Sequence, residues 1–263
     1  MQMPSVLPLV THPDLESRVK SIQDDGFVYF PGIMNTHEVA ELRKAMDSLD
    51  EIPEYFDRTG QPWSRSFNNV FNRGEIFRQY LDKPGIIELV EEIHGSDCHV
   101  IGMTAWITGP GRPDQSLHVD YLPISLPPDL LEDVRVKIPI FITTAHYYLD
   151  DLHEALGPTK FVPGSHLSGR NPDGETTWKG VGEQSIICNA GDVLLFRSEV
   201  WHRGSTNTSN QDRYLLQVHY AQRMITQKFP PYLNKFQFDE ELLSQLTPRQ
   251  RRLLGEHRPA NYD

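Results

Sequence analysis

The sequence predicts a mainly β protein, a sandwich or jelly roll with helices packed outside it, and three observations carry that reading. From Cys98 to Gln222, short stretches rich in Val, Ile, Thr, Tyr and Phe recur, separated by turns containing Gly and Pro. In the first third, by contrast, apolar residues recur every three or four positions, the period of helices. The chain has 263 residues, 38% of them hydrophobic, enough for one large domain with a sizeable core, and no repeat or linker divides it. The expected organisation is helical support over residues 12–94, a β core over 97–223 and a C-terminal extension over 224–263.

In order along the chain, residues 13–24 predict a helix with Leu15, Val19 and Ile22 on one face. Gly26-Phe-Val-Tyr-Phe30 predicts a strand closed by Pro31-Gly32. Asn35 or Thr36 can cap a second helix running to Asp47, with Val39, Leu42 and Met46 inward and His37 at the surface. Residues 53–72 are irregular and aromatic, with Tyr55, Phe56, Trp63, Phe67 and Phe71 among Arg58, Arg65, Asn68 and Asn69. They read as a loop held on the core, or as a wall of a ligand pocket. Residues 75–81 and 84–93 predict two short helices. The alternation over 98–107 predicts a strand, Pro110-Gly-Arg-Pro113 a turn, and 115–120 the returning strand. Further strands are expected over 136–149, 160–162, 185–188, 193–196 and 214–222. Residues 122–135, with three prolines, form a candidate lid. Residues 236–252, with Leu242, Leu243, Leu246 and three arginines, predict a helix that covers the barrel or makes a homodimer contact.

Bulk properties narrow the functional classes. A net charge of -11 argues against a nucleic-acid binder, whose affinity depends on clustered Lys and Arg. Cys98 and Cys188 are too few for a disulfide framework or a Cys-rich zinc site and are consistent with a reducing compartment. Residues 1–10 lack the basic start of a signal peptide, and no apolar run approaches a membrane span. The expectation is a cytoplasmic protein with a small-molecule ligand, no nucleic acid and no membrane.

The chemistry concentrates at Gln115-Ser-Leu-His118-Val-Asp120, with a third corner at His202 in Val200-Trp-His-Arg-Gly204. Two histidines and one carboxylate on one face of a metal leave the opposite positions open, as non-haem Fe(II) oxygenases require to admit a co-substrate and O₂. The His-x-Asp spacing alone is weak: His12-Pro13-Asp14 repeats it where no strand leads in. Weight comes from an ordered series. Gln115-x-x-His118-x-Asp120 is followed by Tyr148-Leu-Asp-Asp151 and Leu156-Gly-Pro-Thr-Lys-Phe-Val-Pro-Gly-Ser-His166. Then come Ala190-Gly-Asp-Val-Leu-Leu-Phe196 leading to Trp201-His202, and finally Arg213, eleven residues past His202. His118 and His202 could instead be hydrogen-bonded core residues, and Arg213 an exposed partner of Asp212. Asp192 reads most simply as a turn residue. His146 and Tyr148 either face the cavity or pack in the core, as do Trp106, Tyr121 and Trp178.

Taken together, "DDGFVYFPG", "GPTKFVPGSH", "NAGDVLLFRSEVWHRGS" and the His-to-Arg spacing resemble the phytanoyl-CoA hydroxylase family of Fe(II)/2-oxoglutarate dioxygenases over residues 20–222. The resemblance implies a double-stranded β-helix of jelly-roll type, an iron triad of His118, Asp120 and His202, and Arg213 as the 2-oxoglutarate arginine. It also points to Gln115 and Thr159 as polar residues around the co-substrate, although each could be a turn residue without a ligand. Ser165 and His166 are expected to close a turn and brace the barrel. Because Asp120 stands where the family's halogenases have a small residue, hydroxylation or a related C–H oxidation of a small or medium-sized metabolite is expected, with release of succinate and CO₂. A cupin-like metal enzyme, a zinc hydrolase and a non-catalytic jelly-roll binding module are the alternatives.

Overall fold

The structure, a computed structural model, describes residues 5–49, 64–131, 133, 135–228 and 239–257. The chain opens with α1 (Leu15–Asp24), where the Asp14 side chain accepts the Ser17 N–H at 2.8 Å. The strand β1 (Phe27–Phe30) leads to α2 (Thr36–Asp47). Between the two candidate caps for α2 it is Asn35 that acts: its Oδ1 accepts from His37 and Glu38, while Glu38 reaches back to the Asn35 N–H.

After β2 (Ser64–Asn68) come the short helices α3 (Glu75–Arg78) and α4 (Ile87–His94), then the long strand β3 (His99–Thr108). The candidate lid carries one helical turn, α5 (Pro128–Leu131). Next follow β4 (Ile142–Tyr148), β5 (Thr159–Phe161), β6 (Thr177–Trp178), β7 (Val181–Gly182) and β8 (Gln184–Ser185). The core closes with β9 (Val193–Arg197), β10 (His202–Gly204) and β11 (Arg213–Ala221), and the described C-terminal residues form α6 (Glu240–Ser244) and α7 (Pro248–Leu253).

Six antiparallel strands form the main sheet in the order β1-β9-β4-β11-β3-β2. A smaller sheet, β10-β5-β8, faces it, and β6-β7 is a separate hairpin. This is the jelly roll the alternating strands predicted. Its energetics follow from the two faces of the main sheet. On β11, Tyr214, Leu216, Val218 and Tyr220 join a core with Leu42, Met46, Phe71, Leu89 and Val90 from the helical side. Residues one position out of step, Leu194, Phe196, Tyr148 and Leu215, join Phe161 and Ile186 between the sheets. Leu246, Leu253 and Leu254 of the C-terminal segment enter the first core, so this segment covers the outside of the barrel.

Several expectations change. Residues 64–68 form an edge strand on β3 rather than loop, with only Phe67 fully buried; the aromatic stretch before it, over 53–63, lies outside the described residues. The strand expected over 136–149 occupies only Ile142–Tyr148, and the one over 185–188 only Gln184–Ser185. Gln115 to Asp120 is not a full strand. It meets β10 at two points, the Gln115 N–H on the Gly204 carbonyl and the His118–His202 bridge, while the Ser116 carbonyl accepts from the His118 ring and the Asp120 and Tyr121 N–H groups both turn to the Ser198 carbonyl. No helix among the described residues is long and apolar enough to cross a membrane.

Candidate active site

Where the two sheets face each other, His118, Asp120 and His202 converge. The Asp120 Oδ1 lies 3.6 Å from His202 Nε2 and 4.0 Å from His118 Nε2. One ligand atom from each of the three lies within 4.8 Å of the others, so they could hold a single metal ion. The backbone brings this about. His118 and His202 exchange both N–H···O=C bonds, at 3.0 and 2.9 Å, which sets their rings side by side with centroids 4.6 Å apart. Each ring is then turned by its own loop: His118 Nδ1–H donates to the Ser116 carbonyl at 2.8 Å and His202 Nδ1–H to the Val200 carbonyl at 2.9 Å. A carbonyl can only accept, so Nδ1 carries a proton in both rings, and in the neutral imidazole Nε2 presents its lone pair.

His202 is deeply buried, stacked on Phe161 and flanked edge-on by Phe196, whereas His118 sits at the rim. Ser165 and Trp201 hold the approach to His202. The Trp201 N–H donates to Ser165 Oγ at 2.8 Å and its indole N–H to the Arg170 carbonyl at 2.9 Å. His166 hydrogen-bonds to the Gln23 carbonyl, away from the site.

Charge at this point is strongly coupled. Burial disfavours the ionised form of Asp120, but the His202 ring beside it outweighs burial and holds the carboxyl far below the usual range. Burial likewise disfavours the charged form of His202, and the Asp120 carboxylate, by charge and hydrogen bond, raises its pKa nonetheless. Burial, followed by repulsion from His202, lowers His118. Carboxylate and lone-pair nitrogens at one point form a donor set that suits a divalent first-row metal. On its other oxygen Asp120 is approached by the Thr144 hydroxyl at 3.4 Å, which also meets His219 Nδ1 at 2.9 Å.

The three residues line a cavity with about 550 Å³ of empty space, open solvent included. Gln115, Thr159 and Arg213, the other expected site residues, line it too. Arg213 is 7% exposed, so it is not the surface partner of Asp212, which faces Arg65 at 3.7 Å. Its Nη1 is buried with no hydrogen-bond partner among the described residues. Burial, and then the charge of Arg112, lowers its pKa to about 10. A buried cation of this kind calls for an anion. Gln115 spends its Oε1 on the Gly204 N–H at 2.8 Å. The Thr159 side chain meets Tyr148.

Of the undecided residues, Trp106 and His146 line the cavity, whereas Trp178 packs on Trp201 and Tyr121 lies under Lys228. Five lining residues were not foreseen as site residues: Thr108, Arg112, Gly204, Leu215 and Gln217. Gln217 joins two walls, accepting from the Trp106 indole at 2.8 Å and donating to His146 Nε2 at 2.8 Å. Its position, four past Arg213 on the same strand, is the signal that would have found it. Asp192 does more than turn the chain. Its carboxylate accepts from Tyr29 O–H, Gly32 N–H and Asn189 N–H, tying β1 to the start of β9. The adjacent Gly191 has φ +97°, and a Cβ there would lie 2.4 Å from the Met34 carbonyl oxygen.

Comparison with known proteins places the chain in context. The sequence model described as phytanoyl-CoA dioxygenase (PhyH) matches residues 22–215. The Fe(II)/2-oxoglutarate-dependent dioxygenase nvfF of Aspergillus novofumigatus is 26% identical over 250 residues, covering 90% of this chain and 80% of that protein. The iron/alpha-ketoglutarate-dependent dioxygenase ausU of Aspergillus calidoustus is 23% identical over 260 residues, 92% of this chain and 81% of the other. Among solved structures, the alpha ketoglutarate dependent epimerase SnoN from nogalamycin biosynthesis superposes with a TM-score of 0.62 at 19% identity, over 80% of this chain and 83% of that one. HygX from Streptomyces hygroscopicus, solved with nickel and 2-oxoglutarate, has a TM-score of 0.62 at 18% identity, over 80% and 88%. These two share the fold.

Proposed function

The chain belongs to the phytanoyl-CoA dioxygenase family, and on that premise we propose that it is an Fe(II)- and 2-oxoglutarate-dependent oxygenase that oxidises a C–H bond of a small or medium-sized metabolite. The observation that carries the reading is the pairing of two features in one cavity. A three-residue N/N/O donor set and a buried guanidinium without a described hydrogen-bond partner on Nη1 line the same space. The first suits ferrous iron; the second suits the far carboxylate of a dicarboxylic keto acid. Neither feature alone would distinguish this chemistry from a structural metal site or a simple anion site.

His118 Nε2, His202 Nε2 and the Asp120 carboxylate would hold the metal. When bound there, ferrous iron supplies chelation of 2-oxoglutarate and activation of O₂ for oxidation of the substrate, with succinate and CO₂ released. The chain itself contributes geometry. The Ser116 and Val200 carbonyls keep both imidazoles in the ligating tautomer, and the Thr144 hydroxyl steadies the second oxygen of Asp120. Arg213 would hold the far carboxylate of the co-substrate, so that its keto-acid end is oriented toward His118, Asp120 and His202 rather than tumbling in the cavity. Trp106, Gln217 and His146 form one wall of the space, tied together by hydrogen bonds through the Gln217 amide.

For the substrate, the support comes from relatives. Two are dioxygenases of Aspergillus, and solved neighbours carry nogalamycin RO in SnoN and hygromycin B in HygX. We place this chain's substrate in the same broad class, natural products of secondary metabolism, and its reaction among hydroxylations and related C–H oxidations. Under anaerobic conditions, adding 2-oxoglutarate to the Fe(II)-loaded protein should develop a weak visible charge-transfer band. A metabolite screen for substrate-stimulated, O₂-dependent succinate formation then identifies the class. No band at saturating keto acid would rule the reading out in favour of a metal protein that does not chelate the co-substrate.

A further inference from the structure

Arg112 is absent from the family resemblance and figures in the sequence only as part of the Pro110-Gly-Arg-Pro113 turn, yet it lines the same cavity as Arg213, Gln115 and Thr159. Its placement is built into the backbone. The Gly111 N–H donates to the Asn207 carbonyl at 2.8 Å and the Asn207 N–H to the Arg112 carbonyl at 3.1 Å. The Asn207 side chain in turn donates to the Thr108 and Gln211 carbonyls, tying the ends of β3 and β11 together. Thr108 is the register partner of Arg213. The turn that carries Arg112 is therefore fixed to the strand end that carries Arg213.

The side chain also has a space kept for it. Gly204 has no backbone conformation that demands glycine, but a Cβ at that position would lie 2.9 Å from Arg112 Nη1 and 2.9 Å from Gln115 Oε1. Gly204 faces Thr159 across the small sheet. The guanidinium thus passes over a notch at the Thr159 side of the cavity, and its charge is the largest electrostatic influence on Arg213. Two buried or half-buried guanidinium groups turned toward one space repel each other unless an anion comes between them.

We infer that Arg112 is a second anion-binding residue of the co-substrate pocket, sharing with Arg213 the distal carboxylate of the keto acid, and that the pair makes the chain selective for dicarboxylic over monocarboxylic 2-oxo acids. This rests on the oxygenase reading above. One guanidinium alone can form a bidentate pair with one carboxylate; a second adds contact to the remaining lone pairs and cancels the mutual repulsion of the two cations. A monocarboxylic keto acid of similar size chelates a metal equally well but leaves both cations facing an alkyl group.

The test is an equilibrium titration rather than turnover. Fe(II)-loaded wild type, Arg112→Gln, Arg112→Lys and Gly204→Ala are titrated anaerobically with 2-oxoglutarate and with 2-oxobutyrate, following the charge-transfer band, and Fe(II) affinity is measured separately without keto acid. Arg112→Gln should weaken 2-oxoglutarate at least tenfold while leaving 2-oxobutyrate and Fe(II) affinities within about twofold, on the strength of a charge-assisted contact. Arg112→Lys should recover part of the loss, and Gly204→Ala, which displaces the guanidinium, should reproduce it. Unchanged 2-oxoglutarate affinity in Arg112→Gln, or an equal loss for both keto acids, overturns the inference while leaving the oxygenase reading intact. Absence of the band in wild type with 2-oxoglutarate overturns both.

Discussion

Arg213 should weaken the empty fold and strengthen the loaded one. It opens β11, is 7% exposed, and leaves its Nη1 without a hydrogen-bond partner among the described residues. Burial, and then the charge of Arg112, lowers its pKa from the ordinary arginine value to about 10. That difference corresponds to about 3 kcal/mol against the charged folded form. The sign follows from linkage. A base with a depressed folded pKa destabilises the fold wherever it is charged in both states, here throughout the neutral range, and ceases to do so only above its unfolded value. Arg213→Met removes the charge and keeps an unbranched chain in the same space. Metal-free and ligand-free, this variant should resist urea more than wild type, by up to about 3 kcal/mol. Its affinity for 2-oxoglutarate should fall by about a hundredfold, the loss of a charge-assisted bidentate pair. With Fe(II) and the keto acid at a hundred times the wild-type Kd, wild type regains about 2.7 kcal/mol and the order of stabilities closes or reverses. Urea unfolding with and without ligand, under anaerobic conditions, reads both effects. Equal stability of the two empty proteins, or an unchanged 2-oxoglutarate Kd, would refute the assignment of Arg213 as a cation waiting for a carboxylate.

Asp120→Ala should abolish Fe(II) binding in anaerobic calorimetry while preserving the fold, because Asp120 donates its N–H to Ser198 through the backbone, which Ala retains; iron binding at wild-type strength would remove it from the ligand set. Asp192→Asn sets an NH₂ group against at least one of three donors within 2.6 to 2.8 Å, and should cost about 2–4 kcal/mol of stability without altering Fe(II) affinity, as urea unfolding and metal titration would show together. Burial holds His94 down to about 3, and burial with the charge of Arg197 holds His166 down to about 4. Both are therefore neutral in the fold, and their contribution is complete above the usual His range and declines as pH falls toward 4, by about 1.4 kcal/mol per pH unit for each group. The urea midpoint should drop between pH 7 and pH 5 and drop less in His94→Asn; identical midpoints at the two pH values would contradict this.

What could be read in the sequence is set by how local each signal is. His202 and Arg213 each open a strand, and His118 and Asp120 share one short motif, so each of these residues is marked by its immediate neighbours in the chain. The cap at Asn35, the turn at Gly191 and the alternation of β3 and β11 are local in the same sense. By contrast, β2 was missed because Ser64–Asn68 is polar and buries only Phe67 fully, so no period marks it; its definition comes from pairing with β3. The register around Gln115 to Asp120 was misjudged for a related reason. Strand alternation is present, but the Ser116 and Ser198 carbonyls are taken by a side chain and by two consecutive N–H groups, a choice settled only once β10 arrives from eighty residues further on. The reach of Asp192 to Tyr29 and Gly32 is likewise invisible locally, since its partners lie more than 150 positions away.

Within β11 the two kinds of information meet, because the strand serves fold and site on opposite faces. Tyr214, Leu216, Val218 and Tyr220 pack under the helices, and Tyr220 donates its hydroxyl to the Tyr80 carbonyl. Arg213, Leu215 and Gln217 face the cavity, and His219, next in the same row, meets Thr144 behind Asp120. The strand rules fix this division, so once Arg213 is assigned to the pocket, Leu215, Gln217 and His219 follow by parity. The same parity separates consequences. Truncating an even-numbered residue removes core contacts and should lower stability with little change in co-substrate affinity. Truncating Gln217 should alter what the cavity binds while the fold holds, whereas Leu215 lines the cavity and also joins the core between the sheets, so its truncation should change both. A one-residue register slip would exchange the two sets entirely. The β-bulge between His219 and Tyr220 lies beyond the last cavity-lining residue of this strand, so the register that sets Arg213 opposite Thr108 runs uninterrupted along the pocket.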